Sequence, residues 1–113
     1  MSIVIRRVPI LTDSSGDDVS TVLIKGRLAK VTLELGSLTT PDLTITDEPA
    51  GTTLLADAGV ASDTDYYPSV VMCDDAGAPV AGFSEPIVFG RLQVTIAGGG
   101  ATKAGAVALA IER

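Results

Sequence analysis

Two runs near the end of the chain decide how the rest is read: Gly90-Arg91-Leu92-Gln93-Val94-Thr95-Ile96-Ala97, and Ala106-Val107-Ala108-Leu109-Ala110-Ile111-Glu112-Arg113. In the first, Leu92, Val94 and Ile96 alternate with Gln93 and Thr95. In the second, Val107, Leu109 and Ile111 alternate with alanines. Side chains along a strand point to opposite faces in turn, so each run buries one face and offers the other. Gly98-Gly99-Gly100 between them has the composition of a turn, and the pair is expected to form a β-hairpin with an open loop. The polar face of the first run is wet or lies near a partner. The second has only alanine on its other face, so something can lie close against it. The hairpin reads as the spine of a small all-β domain.

Working outward, the same grammar recurs. Residues 2–11 combine Ile3, Val4 and Ile5 with Arg6, Arg7 and Pro9. The β-branched residues favour a strand, and a proline without an N–H confines it to an edge or an extended arm. Residues 12–18 form a polar turn. Residues 21–35 read as two strands broken at Gly26, the second with Val31, Leu33 and Leu35 on one face. Residues 42–46 and 52–55 pair as a hairpin around the turn at 48–51. Residues 56–65 read as a loop, 69–73 as a strand, 74–77 as a turn, and the Gly/Ala/Pro-rich stretch through Pro86 as a connection into the final hairpin. No helical pattern exceeds a turn or two. Short strands at such intervals predict a single all-β domain over residues 1–113, a β-sandwich or barrel-like fold, with residues 1–11 as an extended N-terminal strand or arm. Val31, Leu33, Leu43, Ile45, Leu92, Val94, Ile96, Val107, Leu109 and Ile111 are the expected core.

The chain is 113 residues long, a size for one domain. Aromatic residues make up only 4% of it and Trp is absent, so the core must be aliphatic. Mean hydropathy is +0.41, which leaves two readings: apolar surface reserved for a partner, or an alanine-rich monomer. The net charge is −6, and from residue 31 to 90 there is no Lys or Arg. A body this acidic repels phosphate, so nucleic acid is not an expected partner. The acidic surface itself requires nothing beyond solubility. Cys73 is the one cysteine, which excludes an internal disulfide. No apolar run approaches the roughly 20 residues of a membrane helix, and the two arginines are not followed by the apolar stretch of a signal peptide. No membrane is expected, and a chain made and kept in the cytosol, or assembled there into something larger, is.

The residues that carry most enzyme chemistry are sparse. There is no His, which removes the Ser–His and Cys–His pairs and the commonest zinc ligand. Asp13, Ser15 and Asp17 have the spacing of the first calcium ligands of an EF-hand, but Asp18 stands where glycine belongs and Ile24 where the closing Glu belongs, so a solvated turn competes with a metal loop. Asp63, Asp65, Asp74 and Asp75 could supply a carboxylate pair, yet all lie in turn-like sequence where Asp caps backbone. Residues 98–105 lack the Gly-Lys-Ser/Thr setting of a phosphate loop. No enzyme activity, cofactor or metal is expected. Tyr66-Tyr67-Pro68 is the aromatic cluster, able to grip a sugar or a peptide, or to plug the mouth of a sandwich.

Taken in order, Asp13-Ser14-Ser15-Gly16-Asp17, Lys25-Gly26-Arg27-Leu28, Asp42-Leu43-Thr44-Ile45-Thr46, Gly51-Thr52-Thr53-Leu54-Leu55, Tyr66-Tyr67-Pro68 and the 90–105 run resemble a group of small tailed-bacteriophage virion proteins. The resemblance covers nearly the whole chain and rests on order and spacing, since each piece alone is strand-and-turn grammar. It implies a capsid decoration (cement) protein, made in the host cytoplasm and placed on the outer surface of the virion head. It would be a homotrimer, or a monomer that orders only on the shell, with the major capsid protein as partner. The alternative it leaves is a head spike or other small virion component that binds carbohydrate or a receptor, with Tyr66 and Tyr67 at the tip. Ile3, Ile5, Arg6 and Arg7 are the other candidate interface residues. Two readings of their segment stay open: an arm that adds as a strand to another subunit, or an ordinary first strand of the domain.

Overall fold

The strand that organises the molecule is the one the sequence divides at Gly26. In the structure, a computed structural model that describes residues 2–48, 51–68, 70–73, 79–84 and 86–112, that division is a bend within a continuous strand. The described chain is all-β: β1 (Ile3–Leu11), β2 (Asp18–Glu34), β3 (Asp42–Glu48), β4 (Thr52–Asp57), β5 (Thr64–Tyr66), β6 (Val70–Cys73), β7 (Pro79–Ser84), β8 (Ile87–Ala97) and β9 (Ala104–Glu112).

β2 is 17 residues long. Straight, it would span about 55 Å, more than the 46 Å longest extent of the whole molecule. Both its ends instead finish beside the connection between β8 and β9, with Asp18 opposite Ile96 and Glu34 opposite Ala106. The turn-back centres on Gly26, whose φ of +139° suits only glycine and whose missing Cβ would lie 2.3 Å from the Glu112 carbonyl oxygen. Just beyond it the ladder to β9 slips between Leu28 and Lys30. The buried residues before the slip are Val22, Ile24 and Leu28; after it they are Val31 and Leu33. A bulge re-phases the alternation in this way and keeps apolar side chains inward around the corner.

The bend builds two layers from one strand. The first leg of β2 pairs with β8, then β3, then β4. The second leg pairs with β9 on one edge and β5 on the other, and β9 with β1. All ladders are antiparallel, and none joins β1 to β4 among the described residues, so the fold is sandwich-like and not a closed barrel. One core lies between the legs. All ten aliphatic residues expected from alternation are buried in it, together with Val8, Ile10, Val22, Ile24, Leu28, Leu38, Val60 and Val88.

Several expectations need correction. The final two runs are not a hairpin: β8 and β9 share no ladder, because each takes an opposite edge of β2 and the bend carries them into different layers. Residues 98–103 form an arch between layers. Of the two readings left open for residues 2–11, the structure has the first strand of the domain: Ile3–Leu11 pairs with β9 along its entire length, as an edge strand. Residues 56–65 are not all loop, since β4 runs to Asp57 and β5 starts at Thr64. The Gly/Ala/Pro-rich connection contains β7. β8 runs unbroken from Ile87 through Gly90. The turn at 74–77 lies outside the described residues. β6 and β7 form a two-stranded sheet of their own.

Candidate interaction surface

β1 presents two different faces. Val8 and Ile10 point into the core, while Ile3 and Ile5 on the outer face are 61% and 63% exposed. They border the alanines of β9, with Ile5 opposite Ala110 and Arg7 opposite Ala108. This is the close approach that an all-alanine face permits: the Arg7 guanidinium reaches past β9 to β2 and donates to Glu34 Oε2 from Nη2 at 2.6 Å and from Nε at 3.1 Å. Both side chains are solvent-exposed, so the pair contributes only about 0–1 kcal/mol. It does occupy Arg7 within the chain. Arg6, on the other side of the strand, is exposed and has no ion-pair partner among the described residues. Among the described residues, the outer edge of β1 pairs with no strand.

Further large aliphatic side chains stand exposed on the outside of the body. Val19 and Leu23 on the first leg of β2 are exposed, Leu23 at 67%, as is Ile87 on β8. Leu23 sits opposite Arg91, and Ile87 opposite Arg27. Sequence reasoning gave Leu23 no role. The available signal was a large aliphatic residue in a phase otherwise held by Thr21 and Lys25.

Tyr66 and Tyr67 do not form a paired platform. Tyr66 is half-buried against the core and its hydroxyl donates to Asp57 Oδ2 at 2.8 Å. Burial, and then the Asp57 carboxylate, push its phenol up to about 12. Tyr67, the next residue, is 71% exposed. One ring packs against the core and the other is exposed.

The acidic turns are occupied by backbone. Asp13 Oδ1 accepts the N–H groups of Ser15 and Asp17 at 2.8 and 3.1 Å, and these bonds, that from Asp17 foremost, hold its carboxyl below the ordinary value. Asp17 Oδ1 accepts the Gly98 N–H, and Asp63 Oδ1 the Leu35 N–H. Asp65 accepts the Thr32 hydroxyl at 2.7 Å with Lys30 Nζ 3.5 Å away; the hydroxyl, more than the ammonium, lowers its pKa. Among the described residues no three His, Cys, Asp or Glu gather where they could hold a metal ion. Asp74 and Asp75 lie outside the described residues.

The arch lies at the end of the molecule away from the Gly26 bend and ties its turns together. Thr12, buried at the end of β1, donates its hydroxyl to the Gly100 carbonyl at 2.6 Å and accepts the Lys103 N–H at 2.7 Å. Gly99 donates to the Gly16 carbonyl, Thr39 to Gly99 and Thr102 to Asp13. Three connections are thereby tied together, so the two layers are fixed relative to each other and so are the surfaces they carry. No protein-family model matches the chain, and no curated protein matches it.

Proposed function

We propose that this protein is a structural virion protein, a capsid decoration (cement) protein that binds the outer surface of a tailed-phage head as a homotrimer and bridges capsomers of the major capsid protein. The observation that carries the reading is a set of large aliphatic side chains left exposed on one sandwich-like body: Ile3, Ile5 and Leu11 on β1, Val19 and Leu23 on the first leg of β2, and Ile87 on β8. A protein that cements a shell needs exposed apolar surface both for its own copies and for the shell. The ordered motifs it shares in appearance with small phage virion proteins support the same reading. The action is passive: pulling capsomers apart would re-expose buried apolar area at about 25 cal/mol per Å². Any species that binds only the assembled shell stabilises it by mass action.

The test uses phage heads that lack the protein. Purified protein should bind them in fixed stoichiometry and raise the temperature at which they release DNA, and Leu23→Glu should weaken binding at least tenfold without altering the fold. Heads that bind no protein at saturating concentration would sink the proposal.

A further inference from the structure

Among the described residues, β6 and β7 share no ladder with the main sheet and make only slight contact with any other strand. Hairpins of this size, with strands of four and six residues, are marginal in water unless a third strand or a packing surface covers them. Their sequences, Val70-Val71-Met72-Cys73 and Pro79-Val80-Ala81-Gly82-Phe83-Ser84, carry no charge, and they lie within the long stretch of the chain that holds no cation.

β1 is the complement. Among the described residues its outer edge is unpaired and Arg6 brings a cation without an ion-pair partner, and Ile3 and Ile5 stand exposed beside that edge. Pro9 guards the far end of the edge, leaving residues 3–8 open to addition, which matches the six residues of β7. The two features do not meet within one chain. At residues 31–33, β9 and β5 occupy opposite edges of β2, and at Arg27 so do β9 and β8. β5 and β8, which flank the hairpin in sequence, therefore lie on one edge of β2, and β9 with β1 on the other.

We propose that the β6–β7 hairpin of one copy adds through β7 to the outer edge of β1 in a second copy, extending the main sheet across the subunit boundary. Donor and acceptor are different surfaces on opposite sides of the body, so the contact is head-to-tail, and the trimer of the reading above is the ring that such a contact makes when its rotation closes. This rests on the self-association part of the trimer reading above, and is independent of whether the partner is a shell.

The test is made on free protein, without heads, by sedimentation and native mass spectrometry at tens of micromolar. The full chain should be a single closed oligomer. A variant with residues 70–84 replaced by a short Gly-Ser linker should be monomeric, and so should Ile3→Asp/Ile5→Asp, with Arg6→Glu weakening association about tenfold. Mixing the two monomeric variants should give a one-to-one dimer, because each retains the half that the other lacks. A monomeric full chain, an oligomer that survives either change, or a mixture that stays monomeric overturns the proposal. Loss of the β spectrum in the linker variant overturns it too, since the hairpin would then belong to the body's own fold. Failure here with normal binding to heads would leave the cement reading standing.

Discussion

β3 with β4, and β8 with β9, are consecutive pairs of alternating strands joined through glycine, yet they form different structures. β3 and β4 pair with each other from Leu43 opposite Asp57 to Asp47 opposite Thr52, and their turn is closed from within, by the Gly51 N–H on the Asp47 carbonyl. β8 and β9 never pair. The backbone groups of their connection are satisfied by other loops, through Gly16, Thr39 and Thr12. A connection that satisfies its own polar groups makes a hairpin, and one that is satisfied by distant chain makes an arch. The arch has a structural consequence. It puts β1 with β9 in one layer and the first leg of β2 with β8 in the other, so Ile5 and Leu23 stand exposed on different layers.

The contrast can be broken most forcefully at the bend. Leu28 is fully buried just past Gly26, where both layers meet. Leu28→Ala should cost about 2–5 kcal/mol in denaturant unfolding; a cost below about 1 kcal/mol would mean that the layers do not share a core there. Gly26→Ala comes next. It forces a strained φ and drives a methyl into the Glu112 carbonyl, for an expected loss of about 1–3 kcal/mol. Thr12→Ala sharpens the comparison itself. It removes the hydroxyl that both donates to and accepts from the arch, at about 1–2 kcal/mol, and should speed amide exchange at Lys103. The β3–β4 amides should be unaffected. Exchange rising equally in both connections would contradict their independence.

The smallest effect is a pH dependence at β5. The Tyr66 phenol is raised from 10.0 to about 12. Between those values the folded state keeps a proton that the unfolded chain has lost, so stability should be intact below about pH 10 and fall as pH rises toward 12. Tyr66→Phe should flatten that decline. An unchanged slope in the variant would show that the Asp57 contact does not govern it.

Much of the core was legible because burial follows period two whatever the partner strand. Val107, Leu109 and Ile111 were assigned inward for the wrong pairing and are buried nonetheless. β5 and β7 were not legible. Thr64-Asp65-Tyr66 is too short to show a period, and the proline, glycines and alanines of residues 77–86 have turn composition, so their strands depend on neighbours. At the candidate surface, Ile3 and Ile5 could be recognised as outward from their phase with Val8 and Ile10. The engagement of Arg7 by Glu34 could not, because those residues come together only through β9 standing between their strands.

The sequence by itself determined an all-β chain with an aliphatic core, an N-terminal strand suited to an edge, and a break at Gly26, because alternation, proline and glycine act through local backbone chemistry. Tertiary structure alone decided that the break is a bend within a strand, that the last two runs part into separate layers, and that β6 and β7 stand apart from the main sheet. Each of those outcomes depends on which strand edge satisfies which backbone hydrogen bonds. That choice is made between residues far apart in the chain, and side-chain alternation is the same for every choice.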